Sequence, residues 1–448
     1  MSTALQSSAA GSTATSAAAR SFEAQWHTRG ADALLPVREQ AMERFLKLGL
    51  PSLRDESWRY TDLRALAAQS FVDAPRRAAD EIMPNASLSL FDGKHRAATV
   101  LMVNGHPSLY SDEAVINDIE ISSIKDIARL DPKLVTRFLG SLSDEDQRRW
   151  VLLNTALFED GLYLKITKRI STPLVILHVS TGDGGSDVAY PRVIIDARAG
   201  CSATIVEHHV AQGEFTPLVN SNTHIALGSG AQLEHYRVFA TGANATHIDT
   251  LDIHQEKDSQ CKQFTIALGG GLVRASLECC LSQPGASLDS YSLLVGHAQR
   301  HVDCVNRVSH SAPHTTSRQT ARGIAGDHGR VIFNSKVIVD AGAAHSDSQQ
   351  SFRGLLLSPT AEIDSRPQLE IHADEVKCAH GATTGRLDPD MLFYLLSRGL
   401  DRDTAQSLLV FAFLADVLTG MSVASARSAI ENALISQLPD SENLRKFR

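Results

Sequence analysis

A short unit of turn and strand recurs along the middle of the chain and limits the possible fold more than any other feature. Gly200-Cys-Ser-Ala-Thr-Ile-Val206 lines up with Gly230-Ala-Gln-Leu-Glu-His-Tyr236. The same register fits Asp258-Ser-Gln-Cys-Lys-Gln-Phe264 and Gly285-Ala-Ser-Leu-Asp-Ser-Tyr291, and weaker copies begin at Gly329 and Thr360. In each copy a turn pair precedes an inward-looking apolar residue three positions on: Ala203, Leu233, Cys261, Leu288, Ile332 and Ile363. The starts lie 30, 28, 27, 44 and 31 residues apart. A period near 30 residues built from strands and turns predicts a solenoid of parallel stacked strands, because one coil cannot bury its apolar face alone. Propeller blades need about 40 residues each. A β-sandwich, which tolerates irregular spacing, is the competing arrangement.

The strand-rich zone, about 95–385, is flanked by two helical ones. Residues 1–20 are almost all Ser, Ala, Thr and Gly and read as a disordered leader. From 21 to 94 the pattern is helical: Val37, Met42, Phe45 and Leu46 fall close to helical spacing, and Gly49-Leu50-Pro51 ends the run. A short helix is predicted from Thr61 to Gln69, after Glu56-Ser-Trp-Arg-Tyr60, whose Trp58 and Tyr60 are expected to pack the helices onto their neighbour. From 386 to 448 three helices are predicted. The first has Asp388 as N-cap, Pro389 at its first position and Gly399 after its end. Such a cap would cover the open end of a solenoid or offer a docking face.

Composition narrows the function classes. The 448 residues carry a formal charge of −8, which argues against coating nucleic acid or an anionic membrane. The longest apolar run, 408–418, contains Asp416 and is too short to span a bilayer. Six cysteines lie scattered with no CxxC pair, so neither a zinc knuckle nor a self-contained iron–sulfur motif is written into the chain. These features predict a reduced, cytoplasmic protein. No GxxxxGK[ST] loop, GxSxG or HExxH occurs, and Gly269-Gly270-Gly271 reads as a turn or bulge.

Among 18 histidines, neighbours such as His208 and His209 point to opposite faces of a strand and do not readily share a metal. Cys279 and Cys280 fail as a ligand pair for the same reason. Cys378-Ala-His380 differs: on an extended segment, positions i and i+2 share a face, bringing together a thiol and an imidazole suited to iron or zinc. His372 and Asp374 have the same parity and would add polarity to that face.

The segment Arg366-Pro-Gln-Leu-Glu-Ile-His-Ala-Asp-Glu-Val-Lys-Cys-Ala-His-Gly-Ala-Thr-Thr-Gly-Arg386, with Phe393-Tyr-Leu-Leu-Ser-Arg-Gly399, resembles the C-terminal signature of the SufB/SufD family. Glu56-Ser-Trp-Arg-Tyr-Thr61 resembles the N-terminal motif of its SufD branch. SufB-type chains carry a glutamate where Gly381 stands, and a cysteine upstream where this chain reads Ile363-Asp-Ser-Arg-Pro367. The resemblance implies a mainly β protein: a right-handed parallel β-helix (β-solenoid) between N-terminal and C-terminal α-helical domains.

It further implies a non-catalytic scaffold subunit of the SUF iron–sulfur cluster assembly complex, paired with SufB and with the ATPase SufC docked on the C-terminal helices. A homodimer would form in isolation. His380 and Cys378 match the positions of an interface histidine and its neighbouring cysteine, placing them as metal ligands for a transient cluster or iron shared with SufB. The chain would hold no permanent cofactor and have no catalytic residue. A reduced flavin is associated with the full complex, with no residue here assigned to it. The alternative from another class is a β-helix carbohydrate-active enzyme acting alone, which requires a carboxylate-lined groove on the outside of the solenoid.

Overall fold

The structure, a computed structural model, describes residues 16–82, 98–111, 119–139, 148–213 and 215–438. Its centre is a parallel β-solenoid of about eight turns. Each coil gives one strand to each of two sheets, so strands consecutive in sequence lie in opposite sheets. Each pairs with the strand one coil later. Most of these strands are 8–11 residues long, as in Ser202–Gln212, Thr246–Gln255 and Arg330–Val339.

The repeat read from sequence is a true register in its first four copies: Ala203 pairs with Leu233, Leu233 with Cys261, and Cys261 with Leu288. The last two copies are corrected. Ile332 and Ile363 lie in the opposite sheet, and one residue out of register with each other: Ile332 pairs with Asp364, and Ile363 with Val331. The ladder instead runs Leu288, Ser317, Ser348, Cys378. The turn geometry explains both outcomes. Two residues before six successive strands of this sheet the chain adopts positive φ, at Gly200, Gly230, Asp258 and Gly285, and then at His314 and His345. Glycine takes that conformation freely and aspartate tolerates it, so those turns were visible in sequence, whereas histidine gives no such signal. Gly270 also has positive φ, and a Cβ on Gly271 would lie 2.2 Å from the Ala243 carbonyl oxygen, so the triple glycine is a tight turn between strands.

Inside the coils, Leu164, Ile195, Ile225, Leu251, Leu277, Val308 and Val337 build one apolar column. A second forms around Val331, Phe333 and Phe352, the two rings stacked at 5.2 Å. Between them runs a belt of buried polar side chains. Cys279 faces the apolar interior and its neighbour Cys280 the other side, as the alternation of a strand requires.

The N-terminal helices Ala17–Thr28 and Leu35–Leu48 pack with helix Arg149–Leu157 against the outer face of the first sheet, through Phe22, Phe45, Trp150 and Ile194. The first helix begins within the stretch read as a leader, with the Ser16 side chain accepting the Ala19 amide; residues 1–15 lie outside the described ones. The helix read over 61–69 is the single turn Arg64–Ala67. Trp58 is buried, while Tyr60 is only partly so. The Arg274 guanidinium lies 3.7 Å from the Trp58 ring centroid, donates to the Ser57 carbonyl at 2.7 Å and pairs with Asp303. Thr61 donates to the same carboxylate, and Glu56 pairs with Arg366. The Glu56–Thr61 motif therefore clamps the N-terminal helices onto three coils, those of Arg274, Asp303 and Arg366.

The C-terminal helices Arg402–Leu418 and Ala424–Ile435 lie against the side of the solenoid rather than over its open end, contrary to the capping expectation. The reason is the outer face of the second sheet. Tyr236, Phe264 and Tyr291 stack at 4.8 Å, flanked by Val238, Ile266, Leu293 and Ile324, and bury Val410, Leu414, Val417 and Ile430. Glu234 fastens the arrangement by accepting the Ser422 amide at 2.9 Å. No helix among the described residues is long and apolar enough to cross a membrane.

Candidate functional site at the open end of the solenoid

The two sheets end at Glu362–Ile371 and Lys377–Gly385, each paired on one side only among the described residues. Cys378 and His380 lie on the second of these strands. Cys378 continues the ladder of Leu233, Cys261, Leu288, Ser317 and Ser348, all buried, and packs partly against the inner apolar column. His380 pairs with Gln350, which continues through Gln319, Ser290 and Gln263 to His235, again all buried. Both register lines face the axis, so the thiol and imidazole share the inner face of the last coil. His380 is exposed and Cys378 half-buried because no further coil covers them. Burial pushes the Cys378 thiol above its ordinary 9.0, so it stays protonated at neutral pH.

His372 and Asp374 do not join this face. The preceding strand ends at Ile371, Asp374 lies in the turn, and the His372 ring meets the Glu370 carboxylate at 3.1 Å. What lies beneath Cys378 is a ladder of hydroxyls that sequence reading missed, because serine carries no apolar signal. Ser317 and Ser348 hydroxyls are 2.9 Å apart, and the buried His310 ring lies 2.8 Å from both Thr315 and Ser317.

Burial pulls His310 down from 6.5 to about 4. Above pH 6.5 the ring is neutral whether the chain is folded or not. As pH falls below 6.5 the unfolded chain takes up a proton that the folded one refuses, so stability declines until about pH 4. At about 1.4 kcal/mol per pH unit, this group costs about 3 kcal/mol over that range. His310→Gln is expected to flatten the acid limb of urea midpoints measured from pH 7 to 4.5; an unchanged slope would contradict this.

Further inside, His209 and His208 do occupy opposite sides of their strand, but His209 meets other partners in the polar belt. It stacks on His178 at 4.2 Å and meets His247 edge-on at 4.6 Å. Glu207 accepts from Thr223 and lies 3.0 and 2.9 Å from the rings of His178 and His235, which hold its carboxyl far below the usual range. Arg237 pairs with Asp249 and donates to Thr265 at 2.8 Å.

A groove on the outside, of about 970 Å³, carries the carboxylates Asp196 and Glu256. Asp196 accepts from Tyr163 at 2.8 Å and pairs with Arg198 at 2.8 Å, while Glu256 accepts from Ser229. Both carboxylates are tied into hydrogen bonds within the chain.

Comparison with known proteins accords with this geometry. Residues 178–413 match the family described as SUF system FeS cluster assembly, SufBD core domain, and residues 20–176 match the SufBD protein N-terminal region. The chain is 27% identical to iron–sulfur cluster assembly protein SufD of Escherichia coli, over 93% of this chain and 95% of that one. It is 23% identical to SufD of Bacillus subtilis, covering 89% and 92%. It is also 25% identical to the chloroplastic protein ABCI7 of Arabidopsis thaliana, covering 85% and 81%. A solenoid ending in an inward-facing Cys378/His380 pair, matched along nearly its whole length, belongs to the SufBD family of SUF-system iron–sulfur cluster assembly proteins.

Proposed function

We infer that the chain is a non-hydrolytic scaffold subunit that supplies half of a cluster-assembly site. His380 offers an imidazole, with the Cys378 thiol beside it, and a SufB-type partner stacked on the open coil supplies the remaining ligands. The observation that carries this reading is the shared inward face of Cys378 and His380 at a coil with unpaired strand edges. An imidazole and a thiol leave an iron centre short of ligands, so a site built here needs groups from outside the chain. A transient cluster, or the iron for it, is the cargo of this site. Unpaired edges at the end of a solenoid are also a template for strand pairing with a second chain. In isolation the same edges would pair two copies of this chain.

ATP hydrolysis belongs in this reading to a SufC-type subunit docked on helix Pro389–Ser397. Hydrogen exchange tests the placement of the first partner. Adding the SufB-type chain is expected to slow amide exchange across 362–371 and 377–385 by at least about tenfold. Protection confined to other faces, with these two strands unchanged, would overturn it.

A further inference from the structure

We propose that His209, His247 and Asp249 form a second site, inside the solenoid, for a divalent transition-metal ion. One donor atom from each lies within 4.8 Å of the other two, and all three residues are at most 3% exposed. His209 comes from the strand Ser202–Gln212 of one sheet, and His247 and Asp249 from Thr246–Gln255 of the other, so the donors converge across the interior.

Two buried ring nitrogens there, His209 Nε2 and His247 Nδ1, meet no hydrogen-bond partner. A buried polar atom left this way is costly, and an ion that accepts its lone pair removes that cost. The two rings cross at 84°, an arrangement that lets both point lone pairs at one ion. His178 forms a second cluster with Glu207 and His209 and also has an unpartnered Nδ1; it is set aside because its ring lies parallel to His209 and Glu207 is taken up by the rings of His178 and His235. Asp249 is held in place by Ser221 and Arg237, the kind of outer support that metal-binding carboxylates have.

Asp249 is paired with the Arg237 guanidinium, and Glu207 lies against the rings of His178 and His235. Two imidazoles and one carboxylate suit zinc, ferrous iron or cobalt rather than magnesium or calcium. Bond lengths of about 2.0–2.2 Å would draw the donors together by about 1 Å.

This site is independent of the reading of Cys378 and His380, and the test removes those groups. The full chain carrying Cys378→Ser and His380→Ala would be produced in cobalt-supplemented medium, so that the interior fills as the chain folds. Cobalt content and the visible absorption of the bound ion would then be measured. About one cobalt per chain is expected, reduced at least about tenfold by His209→Asn or His247→Gln and unchanged by His178→Gln. A parent chain that retains no cobalt overturns the proposal whether or not the variants fold. Folded His209→Asn and His247→Gln chains that retain cobalt in full overturn it equally.

Discussion

Asp303→Ala is expected to destabilise the chain by about 3–5 kcal/mol, the usual consequence of stripping one partner from a buried ion pair. Asp303 and Arg274 are each 1% exposed, and the guanidinium is sealed beneath Trp58. Without the carboxylate the positive charge keeps only the Ser57 carbonyl and the Trp58 ring, and Thr61 keeps only the His301 ring nitrogen at 3.0 Å. The damage falls where the N-terminal motif grips strands Leu272–Leu281 and His301–His310, so the helical domain should loosen before the coils do. Replacing both partners by apolar residues of similar size, Arg274→Met with Asp303→Leu, should restore most of the loss. Urea midpoints for the single and double variants decide the matter. A single variant within about 0.5 kcal/mol of wild type would show that the clamp contributes little.

The second large effect is expected at helix Pro389–Ser397. It is apolar on all sides, yet none of its residues is buried: Met391, Phe393 and Tyr394 are 58, 71 and 60% exposed. A helix of that composition belongs inside a protein or against a partner. Phe393→Ala with Tyr394→Ala should weaken binding of the SufC-type ATPase by at least about 2 kcal/mol, roughly thirtyfold or more, since aromatic side chains dominate such contacts. Removing everything after residue 386 is a poorer test, because it would also uncover Tyr236, Phe264 and the rest of the face under Val410 and Leu414. Titration calorimetry with the two-residue variant separates docking from folding. Unchanged affinity would move the ATPase to another surface.

The solenoid was legible because its early turns use glycine and aspartate and its inner ladder uses Ala203, Leu233, Cys261 and Leu288, all apolar. The pattern faded where the ladder turned to Ser317 and Ser348 and the turns to His314 and His345. The reading then jumped 44 residues into the opposite sheet. Through Ser317 and Ser348, Cys378 is the last rung of the ladder that starts at Ala203. The i, i+2 spacing put Cys378 and His380 on one face, but not which face, since that depends on register with coils tens of residues away. The buried belt of His178, Glu207, His209, His247 and Asp249 was beyond reach for the same reason: its members come from three strands in two sheets. The side-on seat of the C-terminal helices likewise follows from an outer-face stripe visible only once the strands are aligned.

Iron and acid-labile sulfide in the reconstituted complex with SufB- and SufC-type partners test the central claim most directly. With His380→Ala the complex should assemble with unchanged subunit ratios, because the strand edges proposed to seat the partner are backbone. It should hold only a small fraction of the wild-type iron and sulfide. A His380→Ala complex that loads iron and sulfide fully would contradict the claim that this chain contributes a ligand to a shared site.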